Sequence, residues 1–437
     1  MKITLLEVSS KKNKCTNKDV NGNFGTVTNI GNSLKAKIIE RLKQSGVKLP
    51  LLAFGYANSI LRKNNHQVEY KKDVIPHDSD IVIIHSSMID YRNEIAFAKK
   101  IKEQTKAKVG FIGPFSSVRP DLFINSADFV IVGEPENVLQ KITDEGVPEG
   151  IVESNKIETL DILPFPDWTG FPLKEYSYDP MITEKPFLVM QSSRGCVFSC
   201  SYYCPYTVLQ GTKWRDRSVK NVIDEIKQLK EKHNINGLLF RDPLFSCNKK
   251  RAEQIAKELI RNNLNIKWVC ETRLDLLDKD LLKLLYKSGL RAINVGIESA
   301  DETVLKNSKR TAIKKQHQEE LIKFCDKIGI NVAAFYILGM EGDTVGTIKN
   351  TIRYAKKLNT HVAQFTIATP IPGTKFYEDN KDNLLTNDFE KFTLYNPILK
   401  HKNLTSKQIL KLKEYAFTSY YFRFRYILKF IQRTFLK

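Results

Sequence analysis

The stretch Ser193-Arg194-Gly195-Cys196-Val197-Phe198-Ser199-Cys200-Ser201-Tyr202-Tyr203-Cys204-Pro205 sets three cysteines at intervals of four residues. Three thiolates leave a four-coordinate structural zinc site one ligand short, but they suit an iron-sulfur cluster that keeps one iron open to another ligand. On a helix the same spacing would give three core thiols on one face. Here Gly195 and Pro205 bracket the run, a strand-like Phe187 to Gln191 precedes it, and the basic stretch Lys213, Arg215, Arg217 follows, so it reads as a metal-binding loop at a strand end.

Downstream, short apolar runs alternate with helical periods: Val219 to Lys232, Gly237 to Phe240, Lys249 to Asn262, Lys267 to Glu271, Asp278 to Ser288, Ala292 to Ile297, Ala312 to Lys327, Asn331 to Leu338, Thr344 to Leu358 and His361 to Ala368. Six strands, each followed by a helix or loop, predict a partial parallel (β/α)6 barrel over residues 186–380, with its active site at the carboxyl ends of the strands. Residues 1–150 alternate in the same way, which predicts an α/β, Rossmann-like doubly wound sheet with helices on both faces. Such sheets bind ligands outside the carboxyl ends of their strands, here Ser9-Ser10, His85-Ser86-Ser87, Gly113-Pro114-Phe115 and Gly133-Glu134-Pro135-Glu136.

Residues 151–185 read as a linker between the two halves. Leu160 to Pro186 carries five prolines in 27 residues, too many for a helix or an inner strand, and is expected to lie over the surface. Residues 381–437 form a helical, basic segment. In it Ile409, Leu412, Ala416, Tyr420, Phe424, Ile427, Ile431 and Phe435 recur every three or four residues, as one face of a long helix, beside Lys407, Lys411, Lys413, Arg423, Arg425, Lys429, Arg433 and Lys437. Such a helix either lies in the interface of an anionic membrane or packs on the barrel with its lysines in water. The second is the expectation, with 407–437 a candidate for peripheral membrane contact.

A chain of 437 residues is too long for one ordinary core and suggests two or three domains. No apolar run approaches the roughly 18 residues of a membrane span, and the N-terminus opens on strand-like residues, so a cytoplasmic protein is expected. Seven cysteines, three of them within nine residues, argue for metal binding in a reducing compartment and against a disulfide framework; Cys15, Cys247, Cys270 and Cys325 read as inert buried thiols. The formal charge of +20 is spread through helical lysines with no RNA-binding motif, which favours a solvated surface over a nucleic-acid partner.

The cysteine run, with Leu209-Gln210-Gly211-Thr212-Lys213-Trp214-Arg215-Asp216-Arg217-Ser218 after it, resembles the cluster loop of radical S-adenosylmethionine (SAM) enzymes, and more narrowly the cobalamin-binding branch of that superfamily. The resemblance continues through Phe240-Arg241-Asp242-Pro243-Leu244-Phe245, Cys270-Glu271-Thr272-Arg273, Gly296-Ile297-Glu298-Ser299, Leu338-Gly339-Met340-Glu341-Gly342-Asp343-Thr344 and Thr369-Pro370-Ile371-Pro372-Gly373-Thr374, each at a predicted strand end. Leu49 to Ala57, Leu61 to Lys63, His66 to Val68, Phe111 to Phe115 and Asp128 to Glu136 resemble the N-terminal half of the same branch. The family's usual cysteine spacing is one residue shorter between the second and third cysteine, with an aromatic residue just before the third. A bulge that absorbs the extra residue would let Tyr203 take the aromatic place.

The resemblance implies that Cys196, Cys200 and Cys204 hold three irons of a [4Fe-4S] cluster while the amino and carboxylate groups of SAM chelate the fourth. It implies that Arg241-Asp242-Pro243 receives the methionine end, that Glu298 meets the ribose hydroxyls, that Gly339 lets the chain approach the adenine closely, and that Tyr203, Ser299 and Pro370 also belong to the cofactor site. An ionised carboxylate at Glu298 suits two hydroxyls, although it could instead pair with Arg273 or Arg291. Cobalamin is the third cofactor implied, even though the Asp-x-His-x-x-Gly signature is absent. None of the seven histidines belongs to a triad, and His85 reads as a satisfied loop histidine.

The expected reaction is reductive cleavage of SAM to a 5′-deoxyadenosyl radical that takes hydrogen from an unactivated carbon of a small molecule, leading to C-methylation in secondary-metabolite or lipid biosynthesis. An external electron donor of flavodoxin or ferredoxin type is implied. The alternatives are a radical cyclisation or oxidation without methyl transfer, and a binding protein that has lost its cluster.

Overall fold

A computed structural model describes residues 1–9, 16–143 and 146–435; Ser10, Cys15 and Lys437 lie outside them. The chain builds two parallel sheets. The first contains β1 (Lys2–Glu7), β2 (Gln67–Lys72), β3 (Ile81–His85), β4 (Lys108–Ile112), β5 (Phe129–Gly133) and β6 (Gly150–Ser154), in the spatial order β2-β1-β3-β4-β5-β6. The order reverses between β1 and β3, and a crevice at such a switch point is where open α/β sheets take ligands. Successive residues Ile3, Thr4, Leu5 and Leu6 are all fully buried, because helices such as α2 (Leu52–Lys63) and α3 (Tyr91–Gln104) cover the sheet, while α1 (Leu34–Gly46) packs on the C-terminal helix Ser406–Tyr421.

Strand β6 is a departure from the sequence expectation, which began the linker at 151. Gly150-Ile151-Val152-Glu153-Ser154 pairs with β5 at the sheet edge, where one side of the ladder stays in water and the acidic residue is tolerated. The proline-rich stretch that follows is also more than a surface strap. Leu160, Leu163, Trp168, Phe171, Tyr176, Met181 and Ile182 are buried between the two sheets, so the prolines shape an irregular segment that is nonetheless part of the core.

The second sheet has β7 (Phe187–Met190), β8 (Gly237–Phe240), β9 (Lys267–Thr272), β10 (Leu290–Glu298), β11 (Asn331–Leu338) and β12 (Val362–Ile367), parallel and in chain order. One-directional order is that of a partial (β/α) barrel, and it brings every strand's carboxyl end to one rim. Helices α4 (Val219–His233), α5 (Lys249–Arg261), α6 (Lys279–Lys287), α7 (Lys315–Ile328) and α8 (Val345–Leu358) form the crossovers. Ser218, Asn248, Asp278 and Thr344 cap α4, α5, α6 and α8 by accepting from first-turn backbone N–H groups, which fixes where each loop of the rim ends.

The C-terminal segment is two helices, α9 (Ser406–Tyr421) and α10 (Phe424–Phe435), where the periodicity predicted one. Phe422 and Arg423 interrupt it, and Arg423 donates to the Lys356 carbonyl at 2.8 Å and to Asn359 Oδ1 at 2.9 Å. The break lets α9 run against β12 while α10 turns back toward α7.

Candidate active site

The cysteine loop leaves the sheet through a two-residue antiparallel ladder, Ser193 opposite Asp216 and Arg194 opposite Arg215. Asp242 lies beneath it, accepting from the Ser192 backbone N–H and hydroxyl at 2.6 Å each and from the Ser193 hydroxyl at 2.7 Å. Gly195 starts the loop at φ +83°, and a Cβ there would come 2.0 Å from the Lys213 carbonyl oxygen, so only glycine fits. Residues Ser199–Tyr202 form a single 3-10 turn, after which the Cys204 N–H donates to the Cys200 carbonyl at 3.0 Å. The turn folds the chain back between the second and third cysteines. Cys196, Cys200, Tyr203 and Cys204 all line one cavity of about 1190 Å³.

Glu298 enters the cavity from the end of β10. A bulge between Gly296 and Glu298 shifts the register, and Glu298 holds a left-handed φ of +63°. Arg310 stands 3.5 Å from its carboxylate and donates to the Gly296 carbonyl at 2.6 Å. Burial pushes the Glu298 carboxyl up, with Arg310 and Arg273 pulling the other way. Burial also raises the Cys204 thiol, and Cys200, Cys196 and Glu298 raise it further, as expected for thiols close enough to feel one another's charge. On the opposite wall Arg241 meets Asp19 at 2.9 Å and Glu271, and Tyr206 donates to Glu271 at 3.0 Å.

The remaining site residues expected from sequence stand back from the cavity. Ser299 is within 3.3 Å of the Thr351 hydroxyl and accepts from the Asp301 N–H at 3.1 Å. Gly339 sits at φ +76°, where a Cβ would come within 3.4 Å of Ile409, and its N–H donates to Asp343 at 2.9 Å. Pro370 is buried between Thr369 and Ile371, which do line the cavity. Asp242 is fully buried under the loop. Conversely, Arg310 and Asp19 had no motif to announce them. The Glu298 partner turns out to be Arg310, and Arg291 instead donates to the Tyr286 and Leu290 carbonyls. His85 is buried without a hydrogen-bond partner at either ring nitrogen, edge-on to Phe54, with its pKa pulled down to about 3 by burial and by Lys18.

Three buried ion pairs tie the loop to the first sheet. Arg194 meets Glu134 at 3.2 Å and Glu136 at 2.6 Å, and Arg215 meets Glu134 at 2.5 Å. Arg217 pairs with Glu225, so of the basic stretch only Lys213 is exposed.

The donor set suits a four-iron cluster. Among the described residues no three His, Cys, Asp or Glu side chains converge on a single ion, whereas a cluster asks for three thiolates each on its own iron. Three free cysteines facing one cavity supply them. The cavity exceeds the roughly 300–1,000 Å³ of a pocket for one small molecule. It runs on past Asn17, Lys18 and Asn21 to Glu7, Ser9 and Lys72 at the carboxyl ends of β1 and β2, which gives a larger, amide-bearing ligand such as a corrinoid polar partners between the sheets.

Residues 190–355 match the model of the radical SAM superfamily. The chain is 32% identical over 378 residues to an uncharacterised methyltransferase of Pyrococcus horikoshii, covering 80% of this chain and 81% of that protein. It is 30% identical over 260 residues to the anaerobic magnesium-protoporphyrin IX monomethyl ester cyclase of Rubrivivax gelatinosus, covering 58% of this chain and 45% of the cyclase. Among solved structures it resembles the radical SAM methyltransferase TsrM of Kitasatospora setae with cobalamin and a [4Fe-4S] cluster bound, at 15% identity and a TM-score of 0.63, over 87% of this chain and 74% of that one. The cobalamin-dependent radical SAM enzyme OxsB gives a TM-score of 0.59 at 14% identity over 86% of this chain and 55% of that one. Matched in sequence over most of its length, the chain belongs to the radical SAM superfamily, and across both sheets it shares the fold of the cobalamin-bound TsrM structure.

Proposed function

We propose that this protein is a cobalamin-dependent radical SAM methyltransferase that acts on an unactivated carbon of a small molecule. The observation that carries the reading is the continuity of one cavity from the three cysteines, past Glu298, to the carboxyl ends of the first sheet. When bound, the cluster supplies an electron to the SAM sulfonium for hydrogen abstraction, and methylcobalamin supplies a methyl group.

The chain's own residues bind, orient and exclude water. Cys196, Cys200 and Cys204 give up their protons to hold iron, so cluster loading releases acid. Glu298 accepts from the ribose hydroxyls, and Arg310 opposes the cost that burial puts on its charge. Tyr203 packs beside the third cysteine. Arg241 orients the methionine end while Asp19 and Glu271 hold its guanidinium. Asp242, Ser299, Gly339 and Pro370 act as positioning residues, Asp242 through Ser192 and Ser193. An electron donor of flavodoxin or ferredoxin class reaches the loop from the side on which Val197 is exposed.

Similarity to the cyclase favours a second reading, radical ring closure without methyl transfer. Assay of the products of SAM, under anaerobic conditions with hydroxocobalamin supplied, separates the two. S-adenosylhomocysteine formed alongside 5′-deoxyadenosine supports methyl transfer, and 5′-deoxyadenosine alone supports ring closure.

A further inference from the structure

Helix α10 presents its sides in the reverse of the usual order. Tyr426, Lys429, Phe430 and Arg433 face the body of the protein. Lys429 donates to Asp326 and to the Asn359 carbonyl at 2.6 Å, and Arg433 donates to Asp326 at 2.5 Å and Asn331 at 2.6 Å. The cations are anchors, and the apolar residues Phe424 (77% exposed), Ile427, Leu428 and Ile431 point away. Helix α1 repeats the arrangement with Leu34 (78% exposed), Ile38 and Leu42, three residues on one face.

The two apolar faces converge at the cavity mouth. Ile38, Leu42, Phe422 and Ile427 line the cavity, and the Lys35 ammonium lies 5.4 Å from the centre of the Phe422 ring. The exposed bases Lys35, Arg41 and Arg425 stand beside the apolar residues on a chain of net charge +20. An apolar patch rimmed by charge marks an interaction surface, and a basic rim selects an anionic one. Among the described residues no helix is long and apolar enough to cross a membrane, so the contact is peripheral.

We infer that the lip formed by α1 and α10 rests on an anionic bilayer and that the cavity behind it draws a lipid-soluble substrate from there. The substrate half rests on the reading of the cavity as the reaction chamber; the docking half does not.

The full chain is floated on sucrose gradients with vesicles of phosphatidylcholine and phosphatidylglycerol. Wild type is expected to float, and the triple variant Leu34→Glu, Phe424→Glu, Ile431→Glu, none of which lines the cavity, to lose at least about tenfold in partitioning with an unchanged melting temperature. A wild type that stays at the bottom overturns the docking, as does a variant that floats equally well. A wild-type dimer that the variant dissolves also overturns it, assigning the patch to a second copy. In the second arm the vesicles carry a pyrene-labelled polyprenol. Wild type is expected to reduce the pyrene excimer signal, and Val362→Trp, which fills the cavity, to float without doing so. No loss of excimer, or the same loss with Val362→Trp, overturns the substrate half. Neither arm uses cluster, SAM or corrinoid, so a failed methyl-transfer assay cannot mimic these outcomes.

Discussion

Glu298 holds a left-handed backbone without being glycine, a conformation costing about 1–3 kcal/mol that persists where the surroundings need the side chain in one place. Glu298→Gln keeps the shape and removes the charge-assisted acceptor. SAM affinity, read by equilibrium dialysis against the reconstituted protein, is expected to fall roughly tenfold, or about 1.4 kcal/mol, with iron content unchanged. Lys43 offers a second test. It lines the cavity and its pKa is drawn down to about 7 by burial. A base whose folded pKa lies below its unfolded value is costly to keep charged, so wild-type stability should rise with pH between about 7 and 10. Lys43→Met should flatten that slope in melting curves taken across the window. The cysteines drew notice because their spacing is local, and Glu298 through the resemblance of Gly296-Ile297-Glu298-Ser299; the structure brings both to one cavity. Arg310 was not legible in sequence, since nothing but the returning chain after the short helix Glu302–Asn307 brings it to Glu298.

The cysteine loop and α10 show what a pattern can and cannot specify. Gly195→Ala sets a Cβ against the backbone oxygen of Lys213, which no side-chain rotation relieves. The variant should fold with a lower melting temperature and retain little iron, measured by iron and sulfide analysis after anaerobic reconstitution. The sequence located the loop, but not the 3-10 turn between its second and third cysteines. For the C-terminal helices the periodicity identified an apolar face, and the expectation was that it packs inward. Period alone cannot say which face docks, and the ion pairs of Lys429 and Arg433 with Asp326 decide it for α10. β6 escaped notice because a short edge strand alternates too weakly to stand out from the linker.

Across the whole molecule, the Arg194 and Arg215 pairs with Glu134 and Glu136 join the loop that holds the cysteines to the last inner strand of the first sheet. Alternating strand and helix signals made both sheets readable, while this clamp depends on residues 58 to 81 positions apart, beyond any motif. Glu134→Gln leaves buried guanidinium charge uncompensated and should cost about 3–5 kcal/mol in urea unfolding. Burial pushes the Glu134 carboxyl up, but Arg215 and Arg194 outweigh it and hold it below its ordinary 4.5. Its contribution is therefore complete above that pH and lost as the pH falls further, so the variant's deficit should shrink in acid. The clamp matters because it fixes the thiols relative to the cavity between the sheets, and the most direct test lies there. The protein is reconstituted anaerobically with iron, sulfide and hydroxocobalamin, and 5′-deoxyadenosine is assayed from SAM under strong reductant. About four irons per chain, with 5′-deoxyadenosine formed and both lost in Cys204→Ala, is the result expected. A chain that takes up no iron and leaves SAM intact would contradict the account.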